Sequence, residues 1–128
     1  MEPRVIRFDD IRPAPGATPR FEGHEHGSSV SFFLTDAGAG RGPGPHTHPY
    51  EETFVIVEGS ATFTVDGQDV EAKGGTIVVV PAGAVHGFTT GRDGMRSVNI
   101  HGADRMEQVD LPDDESSRRD DGRSGTRA

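Results

Sequence analysis

The chain has no cysteine. Disulfide frameworks, thiolate metal sites and thiol nucleophiles are therefore excluded. Basic charge is scarce: 13 Lys and Arg stand against 21 Asp and Glu, a formal net charge of -8. A nucleic-acid partner would need a basic stripe, so none is expected. Long apolar runs are missing as well. MEPRVIRFDD holds no leader-like apolar segment, and no stretch has the length of a membrane-spanning helix. The expectation is a cytoplasmic protein with no membrane partner. Hydrophobic residues make up only 31% of the chain, which is low for a compact domain. Part of that deficit lies in LPDDESSRRDDGRSGTRA at the end. Such a segment cannot offset the entropy of ordering, and residues 112–128 are expected to form a disordered tail.

What the chain does contain is punctuation. Eighteen glycines and nine prolines interrupt it at short intervals, which disfavours long helices and favours short strands. SVSFFLTD, ETFVIVEG, SATFTVDG, QDVEAKGG, TIVVVPAG, VHGFTTG and MRSVNIHG read as at least seven strands. Asp66-Gly67, between two alternating runs, predicts a hairpin turn. The reading is an all-β sandwich or barrel over residues 28–111, preceded by an N-terminal arm and edge strand over 1–27. FVIV (54–57) and IVVV (77–80) are apolar on both faces. Their outer faces should be covered, by a second subunit in a homodimer or by Val5, Ile6, Phe8 and Ile11.

GPHTHPYEE (44–52) places two histidines one residue apart in a Gly/Pro loop ahead of an apolar strand. Period two puts His46 and His48 on one face, continued by Glu52, Phe54 and Ile56, while His86, Phe88 and Thr90 share a face elsewhere. If both sets point inward, three imidazoles and a carboxylate converge. That donor set suits a first-row divalent metal.

GRGPGPHTHPYEETFVIVEG (40–59) resembles the first motif of the cupin family: glycine, five residues, HxH, three residues, Glu, six residues, glycine. GTIVVVPAGAVHGFTT (75–90) resembles the second, except that Thr90 stands where an asparagine is usual. The resemblance implies a cupin-type β-barrel (a double-stranded β-helix or jelly roll). It implies His46, His48, Glu52 and His86 as ligands of one divalent ion, with two coordination positions open. Fe(II) is the expected ion, with Mn, Ni, Co, Zn and Cu as alternatives. Local packing around Thr90 is expected to differ from the family.

The expected partner is a small organic substrate that chelates through oxygen. One carboxylate against a divalent ion leaves the site formally cationic, which favours an anionic oxygen ligand. Quercetinase-like cupins resemble this ligand set, and a dioxygenase is the first expectation. The alternatives are a Lewis-acid isomerase, cyclase or decarboxylase, or a metal-dependent binding module. Phe54, Ile56, Phe88, Tyr50 and Asn99 are candidates for the substrate pocket, Tyr50 as a gate. His101 and His24 are candidate proton carriers. For His101 the phase is open: either Asn99 and His101 line the barrel, or Val98 and Ile100 do, and burying the apolar pair is the simpler choice. His24 and His26 form a relay or lid at the barrel mouth, or else a polar loop. No lysine or arginine but Arg41 lies within the two motifs, so an obvious cationic anchor for a second substrate carboxylate is missing unless Arg92 or Arg96 folds in.

Overall fold

The computed structural model describes residues 2–112. The expected tail, apart from its first residue, lies outside that range. Among the described residues the chain is built of strands and two 3-10 turns, Phe8–Ile11 and Gly23–Glu25. The strands are β1 (Arg20–Phe21), β2 (Ser31–Ala37), β3 (His46–Thr47), β4 (Glu52–Val65), β5 (Gln68–Lys73), β6 (Thr76–Val80), β7 (His86–His101) and β8 (Val109–Asp110). The all-β expectation holds. No helix among the described residues is long and apolar enough to cross a membrane.

The eight strands meet the expected minimum of seven, and it is the division into strands that departs from expectation. ETFVIVEG and SATFTVDG are one strand, β4, and VHGFTTG and MRSVNIHG are one strand, β7. These two run antiparallel along most of their length, from Glu52 opposite His101 to Val65 opposite His86. Register shifts between Ile56 and Glu58 and between Gly59 and Ala61 break the pairing midway. Gly59, at φ +80, sits in that irregularity, and a Cβ there would collide with the Gly94 carbonyl oxygen. Only glycine tolerates both the dihedral and the approach. The irregularity reverses the phase of both strands. In β4 the inward residues are Glu52, Phe54 and Ile56 before it and Ala61 and Phe63 after it. In β7 they change from His86, Phe88 and Thr90 to Met95, Ser97, Asn99 and His101. A bulge shifts every later side chain to the other face, as a one-residue slip would.

β4 and β5 are joined through Asp66 and Gly67, both with positive φ, as an Asp-Gly hairpin requires. The turn is tied to the strand that carries a candidate ligand: Asp66 Oδ1 accepts the Val85 N–H at 2.9 Å. The apolar core, Phe54, Ile56, Ala61, Phe63, Val80, Phe88 and Met95 among others, fills one end of the curled sheet. Polar residues fill the other. Thr90 ties the 38–41 loop: its hydroxyl donates to the Gly38 carbonyl and accepts the Arg41 N–H at 2.9 Å. The departure from the family motif thus has a local structural role.

Candidate metal centre

His46 arrives on β3, beside His86 at the start of β7. His48 follows on the same face, and Glu52 opens β4 opposite His101. His46, His48, Glu52 and His86 are all buried, and one ligand atom from each lies within 4.8 Å of the others. The four side chains that the motif implied are brought together.

Their tautomers are set by the backbone. Nδ1–H of His46 donates to the Gly44 carbonyl at 2.9 Å, that of His48 to the Glu107 carbonyl at 2.7 Å, and that of His86 to the Ala84 carbonyl at 3.0 Å. A carbonyl only accepts, so each ring keeps its Nε2 lone pair for the interior. There the lone pairs of His48 and His86 meet Glu52 Oε1 at 3.0 and 3.1 Å. His46 Nε2 is buried without a hydrogen-bond partner among the described residues. Four acceptors facing one point in a water-poor interior can hold a cation between them. A divalent metal ion fits that role, and the nitrogen and oxygen donor set suits a transition ion.

Charge states follow from the same contacts. Burial holds His46 down at about 4, so it stays neutral at physiological pH. Burial also presses on His48, but Glu52 and the Glu107 carbonyl, which both accept from the ring once it is protonated, raise its pKa overall. Glu52 would be pushed up by burial, yet contacts from His101, His48 and His86 hold it well below the usual carboxylate range.

A fifth group joins the cluster. His101 is buried, with Nε2 3.2 Å from Glu52 Oε2, at ion-pair distance but off the hydrogen-bond direction. Its Nδ1 lies 2.6 Å from Tyr50 Oη, which also accepts the Glu107 N–H at 3.1 Å. Tyr50 stacks on His48 at 5.0 Å, and burial pushes its phenol up to about 12. The simpler burial of Val98 and Ile100 is therefore overturned. The phase reversal in β7 turns Ser97, Asn99 and His101 inward, where Ser97 Oγ donates to Asn99 Oδ1 and Asn99 Nδ2 donates to Thr35 Oγ1.

Other candidates fall elsewhere. Phe54, Ile56 and Phe88 belong to the closed apolar core, and Asn99 is held in its own polar ladder. The cavity beside the histidines, about 280 Å³, is walled instead by Arg20, Phe33, His48, Tyr50, His101, Met106 and Gln108. His24 faces Glu22 at 4.0 Å and His26 stacks on Phe21 at 4.7 Å, so neither joins the cluster. Sequence reasoning missed Arg20, Phe33 and the 106–108 segment, since none lies in a motif. Period two from Phe33 toward Ser31 was the one available signal.

A curled β-shell with three inward imidazoles and one carboxylate defines a β-barrel with a group that could hold a metal ion. Residues 31–100, more than half of the chain, match the family model described as a cupin domain. The chain belongs to the cupin family. It is similar to dimethylsulfoniopropionate lyase DddW of Ruegeria pomeroyi, at 33% identity over 63 residues. That match covers 49% of this chain and 41% of the lyase, so this chain spans less than half of that relative. Among solved structures, an uncharacterized double-stranded β-helix protein of Klebsiella pneumoniae superposes with TM-score 0.63 at 23% identity. The superposition covers 84% of this chain and 96% of that one. Oxalate decarboxylase of Bacillus subtilis, known for its Mn(II) centres, superposes with TM-score 0.65 at 20% identity, over 73% of this chain and 27% of that one. At such identities the two structures establish the fold.

Proposed function

We propose that this protein is a metal-dependent enzyme that acts on a small oxygen-chelating organic substrate by Lewis-acid chemistry, as a lyase, decarboxylase or isomerase. The observation that carries this reading is the buried His101–Tyr50 pair, in contact with the ligand carboxylate and exposed to the cavity. Proton transfer at a substrate carbon or oxygen calls for a positioned acid–base pair of this kind. The names of the relative, a lyase, and of the structural neighbour, a decarboxylase, support the same class.

Held by His46, His48, His86 and Glu52, an Fe(II) or Mn(II) ion would supply Lewis acidity at a substrate oxygen. The rest is the work of the chain. Backbone carbonyls lock the three imidazoles, so the donor geometry exists before substrate arrives. His101, with Tyr50 at Nδ1, can take or return a proton through the phenol that faces the cavity. Tyr50, protonated at neutral pH, carries a proton shared between His101 Nδ1 and the Glu107 carbonyl, which accepts its O–H at 3.2 Å. Phe33 and Met106 exclude water from one side of the cavity.

A dioxygenase is the second reading, favoured by the ligand set alone. Elemental analysis of untagged protein, followed by anaerobic turnover against a panel of enolisable acids and phenolics, separates the two. Turnover is expected without O₂ and with Zn(II) as well as Mn(II), because zinc has no redox role. Strict dependence on O₂ would replace the Lewis-acid reading with the dioxygenase.

A further inference from the structure

Arg20 is the one cationic side chain in the wall of the cavity beside the histidines, and it belongs to neither ligand motif. Directly paired residues in a sheet share a face. Arg20 pairs with Phe33, Phe33 with Asn99, and Asn99 with Phe54, so Arg20 ends a row of inward-facing positions. Its guanidinium lies over the Phe33 ring, 5.9 Å from the centroid, and Phe33 meets His101 edge-on at 5.6 Å. The cavity therefore has imidazoles and a phenol at one end and a guanidinium at the other.

That guanidinium makes no hydrogen bond to the described residues. Its ionic contact is with Glu22 Oε2, at 3.6 Å, between side chains 44% and 20% exposed. Such exposed pairs contribute little, and a bidentate carboxylate offers the fork a better partner. Glu22 is itself fixed, since its Oε1 accepts the Met106 N–H at 2.8 Å. The arginine thus leans over the cavity from a rigid frame. Arg96, considered earlier as an anchor, instead pairs with Glu58 and lines a different cavity on the outside of the sheet.

We propose that Arg20 anchors a carboxylate of the substrate, so that the site selects small organic acids over neutral chelators such as phenolics. The cavity volume of about 280 Å³ lies just below the range of ~300–1,000 Å³ usual for drug-sized ligands, which suits an acid of a few carbons. The proposal deepens the metal-enzyme reading and rests on it for the chelating end of the substrate.

Calorimetric titration tests it, with malonate as the anionic probe and acetohydroxamic acid as the neutral chelator. Both are titrated into Mn(II)-loaded protein, and malonate also into the metal-free form. In Arg20→Gln, malonate affinity is expected to fall about 10-fold or more, with acetohydroxamic acid changed less than about twofold and metal content intact. Arg20→Lys should recover part of the malonate affinity, because charge returns without the planar fork. Arg20 is half-exposed, and thermal melting of each variant verifies folding. Equal weakening of both probes, unchanged malonate binding in Arg20→Gln, or no malonate binding to the native protein overturns the proposal. Failure to load any divalent ion sinks the metal reading alone, since the Arg20-dependent loss of malonate binding is also read in the metal-free form.

Discussion

Glu52 is the only carboxylate among the four candidate ligands, and it is almost fully buried, 1% exposed. It stays ionised because His101, His48 and His86 surround it, despite a burial penalty that acts the other way. Glu52→Gln keeps one neutral oxygen and should weaken metal binding less than His46→Ala or His86→Ala, which remove a donor outright. Loss of even an outer partner of a ligand costs roughly 10–100-fold in metal affinity, so the histidine variants should purify without stoichiometric metal. Full metal content in His86→Ala would contradict its role as a ligand. Acid acts on the same groups. Protons compete with metal at His48 first, since its pKa is raised, so affinity should fall as pH drops through and below neutrality. Stability of the metal-free protein has its own sign. His46 is depressed from 6.5 to about 4, so its contribution is full above pH 6.5 and is lost as pH falls toward 4. That contribution is about 3 kcal/mol at most. Glu52, also depressed, acts in the same direction below 4.5, while the raised pKa of His48 opposes it. Melting of metal-free protein between pH 7 and 4 should show a falling Tm, and a flat profile would mean His46 is not held neutral.

At the level of elements, the segment after β7 is part of the site. The Glu107 carbonyl holds His48, its N–H holds Tyr50, and β8 pairs with β3 beside His46. Truncation after Leu111 should leave metal content and activity unchanged. Truncation after Gly102 removes the partner of His48 Nδ1 and should lower metal affinity about 10–100-fold, read by competition with a chelator. Identical metal binding by the two truncated proteins would show that the return strand is dispensable. Spacing made the HxH, Glu and His positions legible, because neighbours on one strand obey period two whatever the rest does. The phase of the last strand was not legible. Its reversal depends on a bulge at Gly59 and Gly94, and a bulge is a relation between two strands.

Across the whole molecule, an apolar surface stays uncovered by the described residues. Ile77 and Val79 on β6 are 65% and 62% exposed, and Val57 on the neighbouring β4 is exposed with them. The alternative cover, the N-terminal segment, lies beside Val57: Phe8 lines a cavity with Val57, Leu34 and Val98 that has no β6 residue in its wall, and Val5 is exposed. We propose that a second copy of the chain covers this patch, since apolar areas of this kind mark interaction surfaces. Light scattering should give a dimer mass for the native protein and a monomer mass for Ile77→Glu, with metal content preserved. A monomer at high concentration in the native protein would refute this.

The linear order of residues was enough to determine the strand-rich class, the Asp66–Gly67 hairpin and the identity of the four metal-ligand candidates. Each depends on short-range spacing, turn chemistry or a motif whose members lie close together. The tertiary structure alone decided that His101 joins the cluster, that Phe54, Ile56 and Phe88 are core, and that Arg20 overlooks the cavity. Those placements follow from cross-strand register and from the bulge that inverts it, and a register is created only when distant strands pair.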